Sequence, residues 1–162
     1  AGADVSTAVA DEMQGEPVGT LRIAAARLRS FRIDPAEVPA VIDEIPAFAA
    51  LGALLPDGET MEVRGAGELR VKESDRIARL AQGLRALGAA VTEYEDGFRI
   101  DARPLTGGTA DSAGDHRLAM AFAIAATGAS GPTTITGAGA VDVSYPGFFE
   151  ELQRLTRAGD DR

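Results

Sequence analysis

The chain has no cysteine, no tryptophan and one histidine. Without cysteine there is no disulfide, no thiolate nucleophile and no cysteine zinc site. One histidine cannot furnish a histidine-rich metal centre. Aromatic residues make up only 5% of the chain and the formal net charge is −9, so base stacking and attraction to a polyanion are both weak. Nucleic acid and anionic membrane surfaces are therefore not expected partners. No apolar run approaches the roughly 20 residues of a membrane span. No basic segment followed by an apolar one opens the chain as a leader would, and a cytoplasmic location is the expectation. Lysine is as scarce as histidine, with arginine supplying every other basic group.

The 162 residues amount to about one ordinary domain. A 45% hydrophobic share is enough for a core, and 19 Gly with 8 Pro make turns frequent. The single lysine, Lys72, lies in Leu69-Arg70-Val71-Lys72-Glu73-Ser74-Asp75-Arg76-Ile77, and the single histidine, His116, in Asp115-His116-Arg117. Lysine offers a compact cation and histidine a titratable donor, and arginine replaces neither. Their confinement to two charged clusters marks those clusters for chemistry.

A repeat underlies the pattern. Gly65-Ala66-Gly67 recurs 72 residues later as Gly137-Ala138-Gly139, Val63 as Ile135, Leu69 as Val141 and Val71 as Val143. Asp43 recurs as Asp115, each opening an apolar run. Spacing of this kind points to one supersecondary unit used more than once, with copies around 43–114 and 115–156. Residues 42–55 read as a helix apolar on nearly every face, 59–64 as a strand, and 74–87 as an amphipathic helix ended by Gly88. Residues 90–94 and 97–101 read as a hairpin about Glu95-Asp96-Gly97. A second buried helix at 115–127, a strand at 133–136 and an amphipathic helix at 147–156 follow. The alternation predicts an α/β fold with buried helices against mixed sheets. Ala1-Gly2-Ala3-Asp4-Val5 matches the helix-to-strand junction Leu87-Gly88-Ala89-Ala90-Val91 without its helix, so the chain reads as part of something longer. The polar tail from Arg157 to Arg162 is expected to fray.

Lys72 and Arg76 bracket the start of the amphipathic helix, where Ser74 or Asp75 is the expected N-cap and the first amides favour an anion. Arg76 suits a carboxylate or phosphate bidentately and Lys72 as a point charge. Glu73 between them is a candidate proton carrier. The competing reading is a solvated helix start with Arg76 paired to Glu73. Asp115, His116 and Arg117 open an otherwise apolar helix and need partners or solvent; Asp115 acting only as a cap is the competing reading there. Asp43-Glu44 holds the matching place in the first copy. Neither a Gly-rich phosphate loop nor a Gly-x-Ser-x-Gly elbow is present.

Residues 41–48 (Val-Ile-Asp-Glu-Ile-Pro-Ala-Phe), 68–77 (Glu-Leu-Arg-Val-Lys-Glu-Ser-Asp-Arg-Ile), 115–120 (Asp-His-Arg-Leu-Ala-Met) and 144–149 (Ser-Tyr-Pro-Gly-Phe-Phe) together resemble the C-terminal segments of the 5-enolpyruvylshikimate-3-phosphate synthase family. The resemblance runs in order over essentially the whole chain. It implies a partial C-terminal domain of repeated βαβαββ units spanning 1–162, with the N-terminal domain absent from this sequence. It implies transfer of the carboxyvinyl group of phosphoenolpyruvate to the 5-hydroxyl of shikimate 3-phosphate, in aromatic amino acid biosynthesis, with no cofactor and with glyphosate competing for the phosphoenolpyruvate site. By motif, Asp43 resembles the general base at the acceptor hydroxyl, Lys72 the lysine touching both substrates, and Glu73 the carboxylate that handles the proton at the methylene carbon. Arg76 and Arg117 resemble the arginines that clamp phosphoenolpyruvate, His116 the histidine beside them, and Asp115 an orienting neighbour.

Two departures bear on these expectations. Val143 stands where some members carry a lysine. The family enzyme is more than twice this length, and its other substrate-binding residues are not in this sequence. The chain alone is therefore expected to show no turnover. The alternatives are an enolpyruvyl transferase acting on UDP-N-acetylglucosamine, which shares fold and donor, and a non-catalytic α/β module.

Overall fold

The structure, a computed structural model, describes residues 1–157. The junction read at Ala1–Val5 does lead into a strand, but its pairing into a hairpin was not foreseen. Strands β1 (Asp4–Met13) and β2 (Glu16–Ala24) form an antiparallel hairpin closed by Gln14 and Gly15, both at positive φ (54° and 85°). Two such residues give the turn that matches strand twist. The alternation that would have announced the hairpin is diluted by Ala, Ser and Thr. Val5 pairs with Ile23 and Thr7 with Leu21 on one face, whereas Ser6 pairs with Arg22 and Ala8 with Thr20 on the other. Both faces are exposed along their whole length.

The rest is mixed α/β. Strand β3 (Phe31–Ile33) leads through the short α1 (Val38–Val41) and the longer α2 (Ile45–Ala53) to β4 (Thr60–Val63), which lies parallel to β3. Helix α3 (Arg76–Ala86) then packs beside the hairpin of β5 (Ala90–Tyr94) and β6 (Gly97–Asp101), giving a four-stranded sheet in the order β3-β4-β6-β5. A second crossover follows. Strand β7 (Gly108–Asp111), helix α4 (His116–Ala126) and strand β8 (Thr133–Thr136) form a parallel pair bridged by a helix, and α5 (Phe148–Arg157) ends the described chain. Parallel neighbours require such crossovers. The expected fraying falls mostly on residues 158–162, which lie outside the described residues.

Most predicted elements lie within two residues of their expected ends. The exception is the first buried helix: a 3₁₀ turn, Ile42–Glu44, precedes α2. Val41 (φ −131°, ψ 16°) lies outside helical geometry, and Pro46, with no N–H to give the carbonyl of Ile42, sits in the first turn of α2, where proline is tolerated. Strand β7 was missed because Gly107-Gly108, both at positive φ, reads as a turn. A 3₁₀ turn, Gly67–Val71, lies between β4 and Lys72.

The core lies between α2, α4 and the inner face of the four-stranded sheet. Ile45 and Ala49 from α2, Leu118 and Phe122 from α4, Met61, Val63, Phe98 and Ile100 from the sheet, and Ile77, Leu80 and Leu84 from α3 are all fully buried. Each large side chain so buried contributes about 1.5–3 kcal/mol before entropy is charged against it. Close approach is set by glycine where α3 meets α4: a Cβ on Gly83 would stand 2.2 Å from the Phe122 ring. This packing brings the N-terminal ends of α2, α3 and α4 to one side of the core.

Candidate active site

Three local devices aim the charged side chains. Asp43 rides the 3₁₀ turn ahead of α2. Lys72 and Glu73 lie between the Gly67–Val71 turn and α3, whose first residue is Arg76. Asp75 caps α3, accepting from the Ala78 amide at 3.0 Å. Asp115 caps α4, accepting from the Arg117 and Leu118 amides at 3.0 and 3.4 Å, and this sets His116 and Arg117 on the first turn. The turn before Gly67–Val71 and the turn before Ala138–Val143 both use a glycine at positive φ, Gly65 at 74° and Gly137 at 72°. A Cβ there would lie 2.7 Å from Pro35 and from the Ser112 hydroxyl respectively, so neither place accepts another residue without movement.

Asp43 is the hub. Its Oδ1 lies 3.2 Å from Arg76 Nη1 and 3.8 Å from Lys72 Nζ, and its Oδ2 lies 3.8 Å from Arg117 Nη2. Arg117 Nη1 also donates to the Asp43 carbonyl at 2.7 Å. Arg76 is 1% exposed, and each of its three nitrogens holds a different carboxylate: Nε on Asp115 at 2.8 Å, Nη2 on Glu73 at 2.6 Å, Nη1 on Asp43. Burial pushes the Asp115 carboxyl up, but the hydrogen bond and charge of Arg76, with the Leu118 and Arg117 amides, outweigh it and hold the group below the usual carboxylate range. Ser74 Oγ donates to the same carboxylate at 3.2 Å. The pairing of Arg76 with Glu73, weighed from the sequence as a competing reading, is thus one third of what Arg76 does.

Of the residues singled out from sequence, Asp43, Lys72, Glu73, Arg76, Asp115 and Arg117 stand in one network. His116 is half-buried beside it, and its side chain makes no hydrogen bond among the described residues. Glu44, noted from the sequence only as the neighbour of Asp43, joins the network, and two members, Glu68 and Arg70, were missed. Glu68 lies 3.3 Å from Lys72 at the i,i+4 spacing, Glu44 lies 3.9 Å from Arg117, and Arg70 anchors the assembly from behind. Arg70 donates to Asp75 at 2.8 Å, to Glu93 at 3.0 Å and to the Tyr94 and Glu95 carbonyls at 2.7 Å each. Its position two residues before Lys72 was the available signal. Beside the network, a cavity of about 270 Å³ is walled by Met120, Ile124, Tyr145 and Phe148, with Asp43 and Arg117 also in its lining.

A buried guanidinium is thus shared by three carboxylates, and a second arginine and a lysine meet one of them, Asp43. The sequence profile of the EPSP synthase (3-phosphoshikimate 1-carboxyvinyltransferase) family matches residues 2–152. The chain belongs to this family. It is 48% identical over 155 residues to the 3-phosphoshikimate 1-carboxyvinyltransferase of Synechococcus sp. (strain JA-3-3Ab), covering 95% of this chain and 34% of that protein. It is 50% identical over 155 residues to the protein of the same description in Halorhodospira halophila (strain DSM 244 / SL1), again covering 95% and 34%. Among solved structures, the EPSP synthase of Acinetobacter baumannii superposes with a TM-score of 0.86 at 37% identity, covering 94% of this chain and 36% of that one. The chain thus spans about a third of the length of the relatives it matches. Among the described residues no helix is long and apolar enough to cross a membrane.

Proposed function

We propose that this chain supplies one wall of an enolpyruvyl transferase site, and that the complete enzyme moves the carboxyvinyl group of phosphoenolpyruvate to the 5-hydroxyl of shikimate 3-phosphate. The observation that carries the reading is the meeting of Lys72 and Arg76, at the start of α3, with Arg117, at the start of α4, on the Asp43 carboxylate. The names of the relatives supply the acceptor and the carboxyvinyl group, and the family resemblance supplies phosphoenolpyruvate and the 5-hydroxyl.

In this reading Asp43 takes the proton of the acceptor hydroxyl, whose oxygen bonds to the central carbon of phosphoenolpyruvate while Glu73 delivers a proton to the methylene carbon. The tetrahedral adduct then loses that methyl proton back to Glu73, and its carbon–oxygen bond to phosphate breaks, releasing phosphate. Positioned acids and bases of this kind supply about 10²–10⁴-fold each. Arg76, Arg117 and Lys72 neutralise the donor's carboxylate and phosphate and stabilise the adduct. His116 stands at the rim of that clamp, and Asp115 orients Arg76. The two crossover units read as copies of one element, each bringing a helix start to the site.

Charge supports a second wall. The three cations meet five carboxylates: Asp43, Glu44, Glu68, Glu73 and Asp115. Two phosphorylated substrates need more cations than that, and the N-terminal domain expected from the family is the proposed source. The reading places the enzyme in the cytoplasm and in aromatic amino acid biosynthesis. A phosphate-release assay with both substrates tests it. The 162-residue chain is expected to show no turnover, a protein extended to the relatives' length is expected to turn over, and Glu73→Gln in that protein is expected to lower kcat by about 10²-fold or more. Activity unchanged in Glu73→Gln defeats the assignment.

A further inference from the structure

We infer that Asp43 is a built-in competitor: its carboxylate occupies the seat that Lys72, Arg76 and Arg117 frame for a carboxylate or phosphate monoester, and a ligand enters by displacing it. This rests on the reading that these cations face an anionic ligand. It adds that the ligand's affinity is set against an internal anion.

Asp43 Oδ1 touches Arg76 and Lys72 while Oδ2 touches Arg117, the two-pronged contact that a ligand carboxylate would make. Among the described residues no other group is shared by all three cations. Arg76 keeps Glu73 and Asp115 without it, Lys72 keeps Glu68, and Arg117 keeps Glu44 and the Asp43 carbonyl. Asp43 is also free to leave. Its side chain is 43% exposed whereas that of Asp115 is 0% exposed, and it stands on a three-residue 3₁₀ turn between two helices, a common place for a hinge. Two of its contacts are 3.8 Å long, looser than the roughly 2.7–2.9 Å of a charge-assisted hydrogen bond. A phosphate drawn into that seat makes shorter bonds to the same nitrogens.

The test is an NMR titration of the chain with inorganic phosphate, following the Arg76 and Arg117 Nε–H signals and the amides of residues 42–44. In Asp43→Asn the phosphate dissociation constant is expected to fall about fivefold or more, the effect of one unit charge removed at about 4 Å in a water-like medium. Glu44→Gln removes an equal charge that touches Arg117 alone and is expected to change the constant far less. A variant Asp43→Asn that binds no tighter than the parent overturns the proposal, as does equal tightening in Glu44→Gln, which would mean a general field and not a shared seat. If Asp43→Asn does not fold, the parent decides alone: saturating phosphate must shift the amides of 42–44, and unmoved amides there overturn the proposal. Tightening in Asp43→Asn beside a failed turnover assay in the extended protein retains this inference and discards the enzymatic reading.

Discussion

Arg76 and Asp115 form a buried ion pair, Nε to Oδ2 at 2.8 Å, with side chains 1% and 0% exposed. They come from the first turn of α3 and the cap of α4, so the pair ties the two helix starts together and presents the remaining nitrogens of Arg76 to Asp43 and Glu73.

Asp115→Ala removes a cap and strands a buried guanidinium at once. Breaking one side of a buried pair costs about 3–5 kcal/mol. Urea unfolding is expected to show a midpoint lowered by that loss divided by the m-value, with the m-value itself unchanged. Asp115→Asn, which still accepts hydrogen bonds through its amide oxygen, is expected to fall between the parent and the alanine variant.

The same carboxylate sets an acid limb. Its folded pKa is held below the ordinary value by Arg76 and two backbone amides that overcome burial. A depressed folded pKa stabilises the native state at pH values above the unfolded aspartate pKa of about 3.9, and that stability is lost as pH falls through the lower native value. Urea midpoints measured from pH 7 down to pH 3 are expected to hold until about pH 5 and then drop. Asp115→Asn is expected to start lower and to flatten that drop.

Gly83→Ala sets a helix-propensity gain against a clash. The gain is at most about 1 kcal/mol. The new Cβ meets the buried Phe122 ring at 2.2 Å, and overpacking of this kind costs about 1–3 kcal/mol. The clash wins, and the melting temperature is expected to fall. Gly83→Ala combined with Phe122→Leu is expected to recover part of the loss, and strict additivity of the two changes would contradict the contact.

Arg70→Lys keeps the charge but not the fork that spans Asp75, Glu93 and the Tyr94 and Glu95 carbonyls. A loss of about 1–3 kcal/mol is expected from partners left unsatisfied. Hydrogen exchange should accelerate at the Ala78 amide that Asp75 holds, more than in the α4 core.

The β1–β2 hairpin offers a contrast. Leu21 and Ile23 are 60% and 68% exposed. An apolar strip of this kind drives association, so Leu21→Lys with Ile23→Lys is expected to reduce self-association in sedimentation while leaving the melting temperature within about 1 kcal/mol equivalent of the parent.

Much of this was legible because it is local. The α3 pattern of Ile77, Leu80, Ala81 and Leu84, the cap at Asp75, the glycine stop at Gly88 and the β5–β6 turn all follow from periodicity and short-range backbone preference. The hairpin β1–β2 and strand β7 escaped notice because small polar residues and Gly107-Gly108 blur the period that a strand needs. Lys72, Arg76, Asp115 and Arg117 were conspicuous as scarce or clustered charges, but spacing could not rank their partners.

Sequence by itself determined the chemistry at hand: which cations and carboxylates exist, where helices begin, and which faces are apolar. Tertiary structure alone decided that Asp43, 33 residues from Arg76 and 74 from Arg117, becomes their common anion. The reason is physical. Helix propensity and capping act over one turn, whereas the meeting of three helix starts is set by burying α2 and α4 against one sheet, a cooperative outcome of the whole core.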